Sequence, residues 1–115
     1  MTQSQLERLG KKWIRLLKLQ PPAWEEITFE FRDHEELEKN AGMCLWQTEY
    51  RTAAIYIADP ESYDETHEAP DIEETLVHEL LHLLLEGYSS EKRNYDPNYE
   101  RGLDIIAQNL VKKRK

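Results

Sequence analysis

His78-Glu79-Leu80-Leu81-His82 places two imidazoles and a carboxylate within one short stretch. At about 100° per residue, a helix sets His82 about 40° and Glu79 about 100° from His78, so the three share one arc. Two imidazoles one turn apart can grip a metal ion, and a carboxylate beside them can take a proton from water there. The rest of the circumference is apolar: Leu76, Val77, Leu80, Leu81, Leu83 and Leu84. Such a helix is expected to be buried, with its polar arc lining a cleft. Burial of two His and one Glu is costly unless something satisfies them, and a metal would do so. The plainer alternative is a pair of core histidines held by hydrogen bonds.

Zinc in hydrolases usually takes three protein ligands. His34 and His67 lie upstream, and no His follows His82. Glu86 continues the row His78, His82, Glu86, but it stands about 12 Å along the axis from His78, too far to share an ion. It is expected to face solvent or to pair with a Lys or Arg. Glu100 is the better third ligand, because a loop before it lets the chain fold back. Asp104 follows one turn later on the same face. Its carboxylate can accept a hydrogen bond from the far ring nitrogen of a ligating His and fix the tautomer. Gly102 between them is expected to permit close approach of the partner helix. Two exposed helix acids are the alternative reading of Glu100 and Asp104.

With His78, Glu79, His82, Glu100 and Asp104, the sequence resembles the gluzincins, zincin metallopeptidases with HExxH on one helix and Glu-x-x-x-Asp on the next. The chain's length resembles that of their minimal members, the minigluzincins. The resemblance implies a zincin-like core: a backing helix, a small sheet of three or slightly more strands, the active-site helix and a glutamate helix. It implies His78, His82 and Glu100 as ligands of one Zn2+ per chain, with Asp104 behind them. It also implies an edge strand that binds substrate in extended form. Residues 43–48 are the candidate, with Cys44, Leu45 and Trp46 as substrate-binding residues; an edge strand offers unpaired backbone groups to a peptide. Ordinary sheet packing is the other role open to these three side chains. The sequence departs from the pattern of the larger enzymes around the glutamate motif, where Tyr99 precedes Glu100 and Leu103 precedes Asp104. The resemblance does not extend to their large C-terminal subdomain.

The implied reaction is peptide-bond hydrolysis. Zinc brings the pKa of its water toward neutral, Glu79 takes the proton, and Glu79 later passes it to the leaving amine. A further donor to the oxyanion would help. Tyr88, Tyr95 and Tyr99 lie between the ligand segments. Tyr88, just past the active-site helix, is the candidate catalytic donor. Two other readings stand beside this one. The enzyme could be latent, as a zymogen is, with the basic tail 112–115 or the N-terminal helix filling the cleft. Alternatively, the chain is a non-catalytic protein-interaction domain with a structural or absent metal.

The expected elements run α, β, β, β, α, α, an α+β order in one domain spanning residues 1–115. Leu6, Leu9, Trp13, Leu16 and Leu17 recur at helical spacing over residues 2–19, where Thr2 or Ser4 can cap the start and Pro21-Pro22 stop the helix. This basic amphipathic helix could meet a membrane surface, but packing against a sheet is expected. Ile27, Phe29 and Phe31 alternate with polar residues, as on a half-buried strand. A polar linker, residues 33–42, leads to two extended runs, 43–49 and 52–58, joined in a tight hairpin at Tyr50-Arg51. The second run is apolar enough to be covered on both faces. An acidic loop, 59–71, follows, and solvation is expected there rather than a cation site. Asp71 and Glu74 form a capping box for the metal helix, which runs to about Glu86 with Gly87 as its stop. Asp96-Pro97 opens the last helix, whose apolar residues are Leu103, Ile106, Leu110 and Val111.

Composition narrows the function. The chain of 115 residues has 23 acidic and 15 basic side chains, a net charge of −8. Such a surface repels phosphate, so no nucleic-acid partner is expected. No apolar run approaches the length of a membrane span, and no signal-peptide core is visible near the start. One cysteine, Cys44, excludes an intramolecular disulfide and favours a reducing, cytoplasmic setting. The expected partner is a peptide or unfolded protein substrate, with no membrane partner and a homodimer left open.

Overall fold

The computed structural model describes residues 1–86 and 97–114. The expectations placed on Gly87, Tyr88, Tyr95, Asp96 and Lys115 lie outside the described residues.

Helix α1, Gln3–Leu16, starts where Thr2 and Gln5 form a reciprocal capping box. It ends earlier than the apolar spacing suggests. Leu17 leaves helical geometry and Lys18 adopts a positive φ of 57°, so the chain turns before Pro21-Pro22 are reached. Leu6 and Trp13 are fully buried on its inner face. Gly10 lies directly against the Phe29 ring, so the helix backbone sits close to the sheet. The Gln3 side-chain amide donates to the Phe29 carbonyl (2.7 Å), and the Trp13 indole N–H donates to Glu73 (2.6 Å). The helix is thus docked on the sheet and on the helix that carries Glu73.

Strands β1 (Glu26–Arg32), β2 (Gly42–Gln47) and β3 (Thr52–Ala58) form a mixed sheet of order β1-β3-β2. β3 is central, parallel to β1 and antiparallel to β2. The expected cover on both faces of β3 is not found. Ala53, Ile55 and Ile57 are buried while Ala54 and Tyr56 are only half-buried, because the packed helices meet the alternate side chains of one face. The hairpin is looser than expected: residues 48–51 form the turn, with Arg51 at φ 54°. The linker before β2 is less polar in effect than in composition, since His34 and Leu37 are both buried.

A short 3-10 turn, Pro60–Ser62, is capped by Asp59. Helix α2, Ile72–Leu84, is capped by Asp71, whose carboxylate accepts from the Glu74 N–H (2.9 Å). Helix α3, Pro97–Arg114, packs along α2. It buries Leu103, Ala107 and Val111, an i, i+4, i+8 row. Ile106, expected among the apolar residues of this helix, is 44% exposed because it lies about 100° from the centre of that row. Gly102 does not serve a close approach either: among the described residues, a β-carbon there would meet nothing within 4 Å. The core lies between α1, α2, α3 and one sheet face, in an α+β architecture.

Candidate metal centre

Helix α2 supplies His78, Glu79 and His82, and α3 supplies Glu100 and Asp104. The two helices pack because Leu76, Leu80 and Leu83 on one and Leu103, Ala107 and Val111 on the other share one core. That packing brings ligand atoms of His78, His82 and Glu100 within 4.8 Å of one another. His78 Nε2 lies 3.2 Å from Glu100 Oε1, and His82 Nε2 lies 3.3 Å from Glu100 Oε2. The imidazole rings are 5.2 Å apart in an edge-to-face arrangement. The His78 and His82 side chains are 12% and 16% exposed and Glu100 is 27% exposed, so the group is mostly buried but still reaches solvent.

His78 Nδ1 donates to Asp104 Oδ1 at 2.7 Å. The neutral ring therefore carries its lone pair on Nε2, and that lone pair faces a carboxylate oxygen. A cation between the two imidazoles and Glu100 would resolve this meeting of acceptors. The donor set, two imidazole nitrogens and a carboxylate, is one that zinc takes. Without a cation, the ring responds by holding a proton. Burial pushes the His78 pKa down, but the carboxylates of Glu79, Asp104 and Glu100 outweigh burial and leave it raised. The His82 pKa is lowered, chiefly by burial, with Glu100 opposing and His78 reinforcing.

Glu79 is 7% exposed and its pKa is pushed up to about 7. Burial is the main cause; His78 pulls the value down, and Glu100 and Asp104 push it up. A carboxylate poised near neutrality can both accept and release a proton. Tyr99 is half-buried with its ring 5.9 Å from the His82 ring. It packs beside a ligand, a place that its position next to Glu100 could have suggested.

The remaining candidates fall elsewhere. Tyr88 lies outside the described residues. Cys44 and Trp46 turn into the core, as ordinary sheet packing requires, while Leu45 is 54% exposed on the opposite face. Burial raises the Cys44 thiol pKa well above its ordinary value, with the Glu79 charge adding to it. β2 is paired on one side only, to β3, so its other edge carries free backbone groups among the described residues. Glu86 pairs with a basic residue as expected: its Oε1 lies 2.6 Å from Arg51 Nη1, while the Arg51 guanidinium also stacks on Trp24 at 4.1 Å. His34 stacks on Tyr63 at 3.8 Å, and His67 Nδ1 bonds Asp64 at 2.7 Å, so neither joins the ligand group. Lys112, Lys113 and Arg114 form the exposed last turn of α3, so these tail residues do not fold back as a plug. Gly42 was legible only as the end of a linker, yet it abuts Glu79.

No curated protein and no solved structure matches the chain at a significant level. A family model described as the SprT-like family matches residues 8–114, a span that includes α2, α3 and all five residues of the centre. That match covers nearly the whole chain and agrees with the zincin-like pairing of an HExxH helix with a carboxylate helix, so the chain belongs to the SprT-like family.

Proposed function

We propose that the chain is a zinc-dependent metallopeptidase of minimal gluzincin type, acting on peptides or unfolded protein. The convergence of His78, His82 and Glu100 beside a buried Glu79 is the observation that carries this reading. His78, His82 and Glu100 would hold the zinc, and Asp104 would orient His78 through Nδ1. Bound zinc supplies Lewis acidity for the scissile carbonyl and makes water a better nucleophile at neutral pH. Glu79 takes a proton from the attacking water on its carboxylate and delivers it to the leaving amine. Its burial beside the two histidines and Glu100 keeps the carboxylate within reach for both halves of that transfer. The free edge of β2 supports an extended peptide as the substrate form.

The experiment is zinc per chain by elemental analysis, with Glu100→Ala and Glu79→Ala alongside a peptide-cleavage assay. About one zinc per chain is expected, lost in Glu100→Ala and kept in Glu79→Ala, with cleavage abolished in both. Zinc retained by Glu100→Ala would break the His-His-Glu assignment. Unchanged cleavage by Glu79→Ala would rule out the proton-transfer role. A fully folded wild type that takes up no zinc on reconstitution would turn the reading to a non-catalytic interaction domain.

A further inference from the structure

Gly42 is the first residue of β2 and pairs with Ile57 of β3, so it lies on the sheet face that meets α2. Its φ is not positive, so backbone conformation does not call for glycine there. Space does. A β-carbon at this position would stand 2.9 Å from Thr75 Cγ2, 3.1 Å from Glu79 Cγ and 3.1 Å from Glu79 Oε2. All three are shorter than the ordinary carbon contact of about 3.5–4.0 Å: the Thr75 methyl would have to move, and the Glu79 side chain would have to give by a few tenths of an ångström. The helix has little freedom to retreat, because Leu76, Val77, Leu80 and Leu81 around Glu79 are all buried. The carboxylate therefore occupies volume that any side chain at residue 42 would need. The other described glycines differ: Gly10 makes room for the Phe29 ring, and Gly102 has no described atom within 4 Å of where a β-carbon would stand.

We propose that Gly42 is a positioning residue for Glu79: its missing side chain leaves the slot in which the carboxylate lies beside the metal ligands. This rests on the role given to Glu79 above. The edge strand thus bears on the proton-transfer group through its backbone, in addition to any peptide it pairs with. A methyl at residue 42 would press first on Thr75 and on Glu79, whose atoms are the three nearest to it, so the carboxylate is expected to shift while the zinc ligands keep their places.

The test uses the full chain in a Thr75→Ser background, which removes the methyl that also crowds residue 42 and keeps the hydroxyl bonded to the Asp71 carbonyl. Gly42→Ala is measured with Glu79 intact and in the Glu79→Ala variant, reading zinc per chain, Tm, kcat and KM. Gly42→Ala is expected to keep its zinc, to lower kcat about 10-fold with little change in KM, and to lower Tm. The Tm loss should vanish when Gly42→Ala is combined with Glu79→Ala, because the slot is then empty. Wild-type kcat in Gly42→Ala, or an equal Tm loss with and without the Glu79 side chain, would overturn the proposal. If Gly42→Ala fails to fold, recovery of folding and zinc in the Gly42→Ala/Glu79→Ala double variant supports it, and failure to recover overturns it. The Tm cycle needs no turnover. A wild type without peptidase activity would remove the proposed function while leaving the steric coupling to be read.

Discussion

Asp104 and Glu79 show how single side chains set the chemistry of this centre. Asp104 holds the Nδ1 proton of His78, so Nε2 is the nitrogen left for a metal. Asp104→Asn is expected to weaken zinc binding about 10- to 100-fold without loss of fold, measured by competition with a chelating dye. Unchanged affinity would mean that the 2.7 Å contact does not tune the ligand. Glu79 carries a pH signature in the metal-free protein. Its folded pKa of about 7 lies above the ordinary 4.5, so the native state binds more protons than the unfolded state between these values. Its contribution to stability therefore falls as pH rises from 4.5 through 7. Glu79→Gln should have no such loss and should gain about 3 kcal/mol over wild type between pH 4 and pH 8. Urea unfolding of both metal-free proteins at the two pH values checks this. Equal stability differences at both would show that Glu79 is not desolvated.

Helices and strands divide the work of building the site. α2 presents the HExxH arc because its other faces are buried in leucine and valine, and α3 answers with a row of Leu103, Ala107 and Val111. Two glycines on these layers should respond in opposite directions. Gly10→Ala pushes a methyl into the Phe29 ring at the α1–β1 contact, and overpacking of this kind costs about 1–3 kcal/mol. Gly102→Ala meets no atom of the described residues on an ordinary helical backbone and should stabilise by about 0.4–1 kcal/mol. Chemical denaturation of the two variants would settle both signs. The helix types and order were legible from apolar period and capping residues: Thr2 and Asp71 cap as their positions suggest. The ends were less legible. α1 stops at Leu16 because Lys18 takes a left-handed turn, and nothing in a lysine codon signals that conformation.

At the scale of the whole molecule, the ligand set joins α2 to α3 across the core. Zinc binding should therefore stabilise the fold by mass action, adding about 1.4 kcal/mol for each tenfold rise in free zinc above Kd. A chelator should lower Tm, and Glu100→Ala should lose that response. A wild-type Tm indifferent to chelator would separate the centre from the stability of the fold. Arg51 adds a second tie. It links the β2–β3 turn to Glu86 beyond the end of α2 and to Trp24 and the Ala23 carbonyl before β1. No helix among the described residues is long and apolar enough to cross a membrane.

The sequence by itself determined the local elements and the ligand spacing. His78, Glu79 and His82 share an arc because helical geometry is periodic, and Glu100 with Asp104 repeats that logic one helix later. Those are short-range facts, written in separations of three and four residues. Only the tertiary structure decided what depends on distant segments meeting. It paired β3 in parallel with β1, turned Cys44 and Trp46 inward, and left the other face of β3 half-open. It also set Gly42 against Glu79, a contact between residues 37 positions apart that no periodicity encodes. Such contacts depend on how close two backbones approach once the core has closed, and that distance is fixed by packing rather than by spacing along the chain.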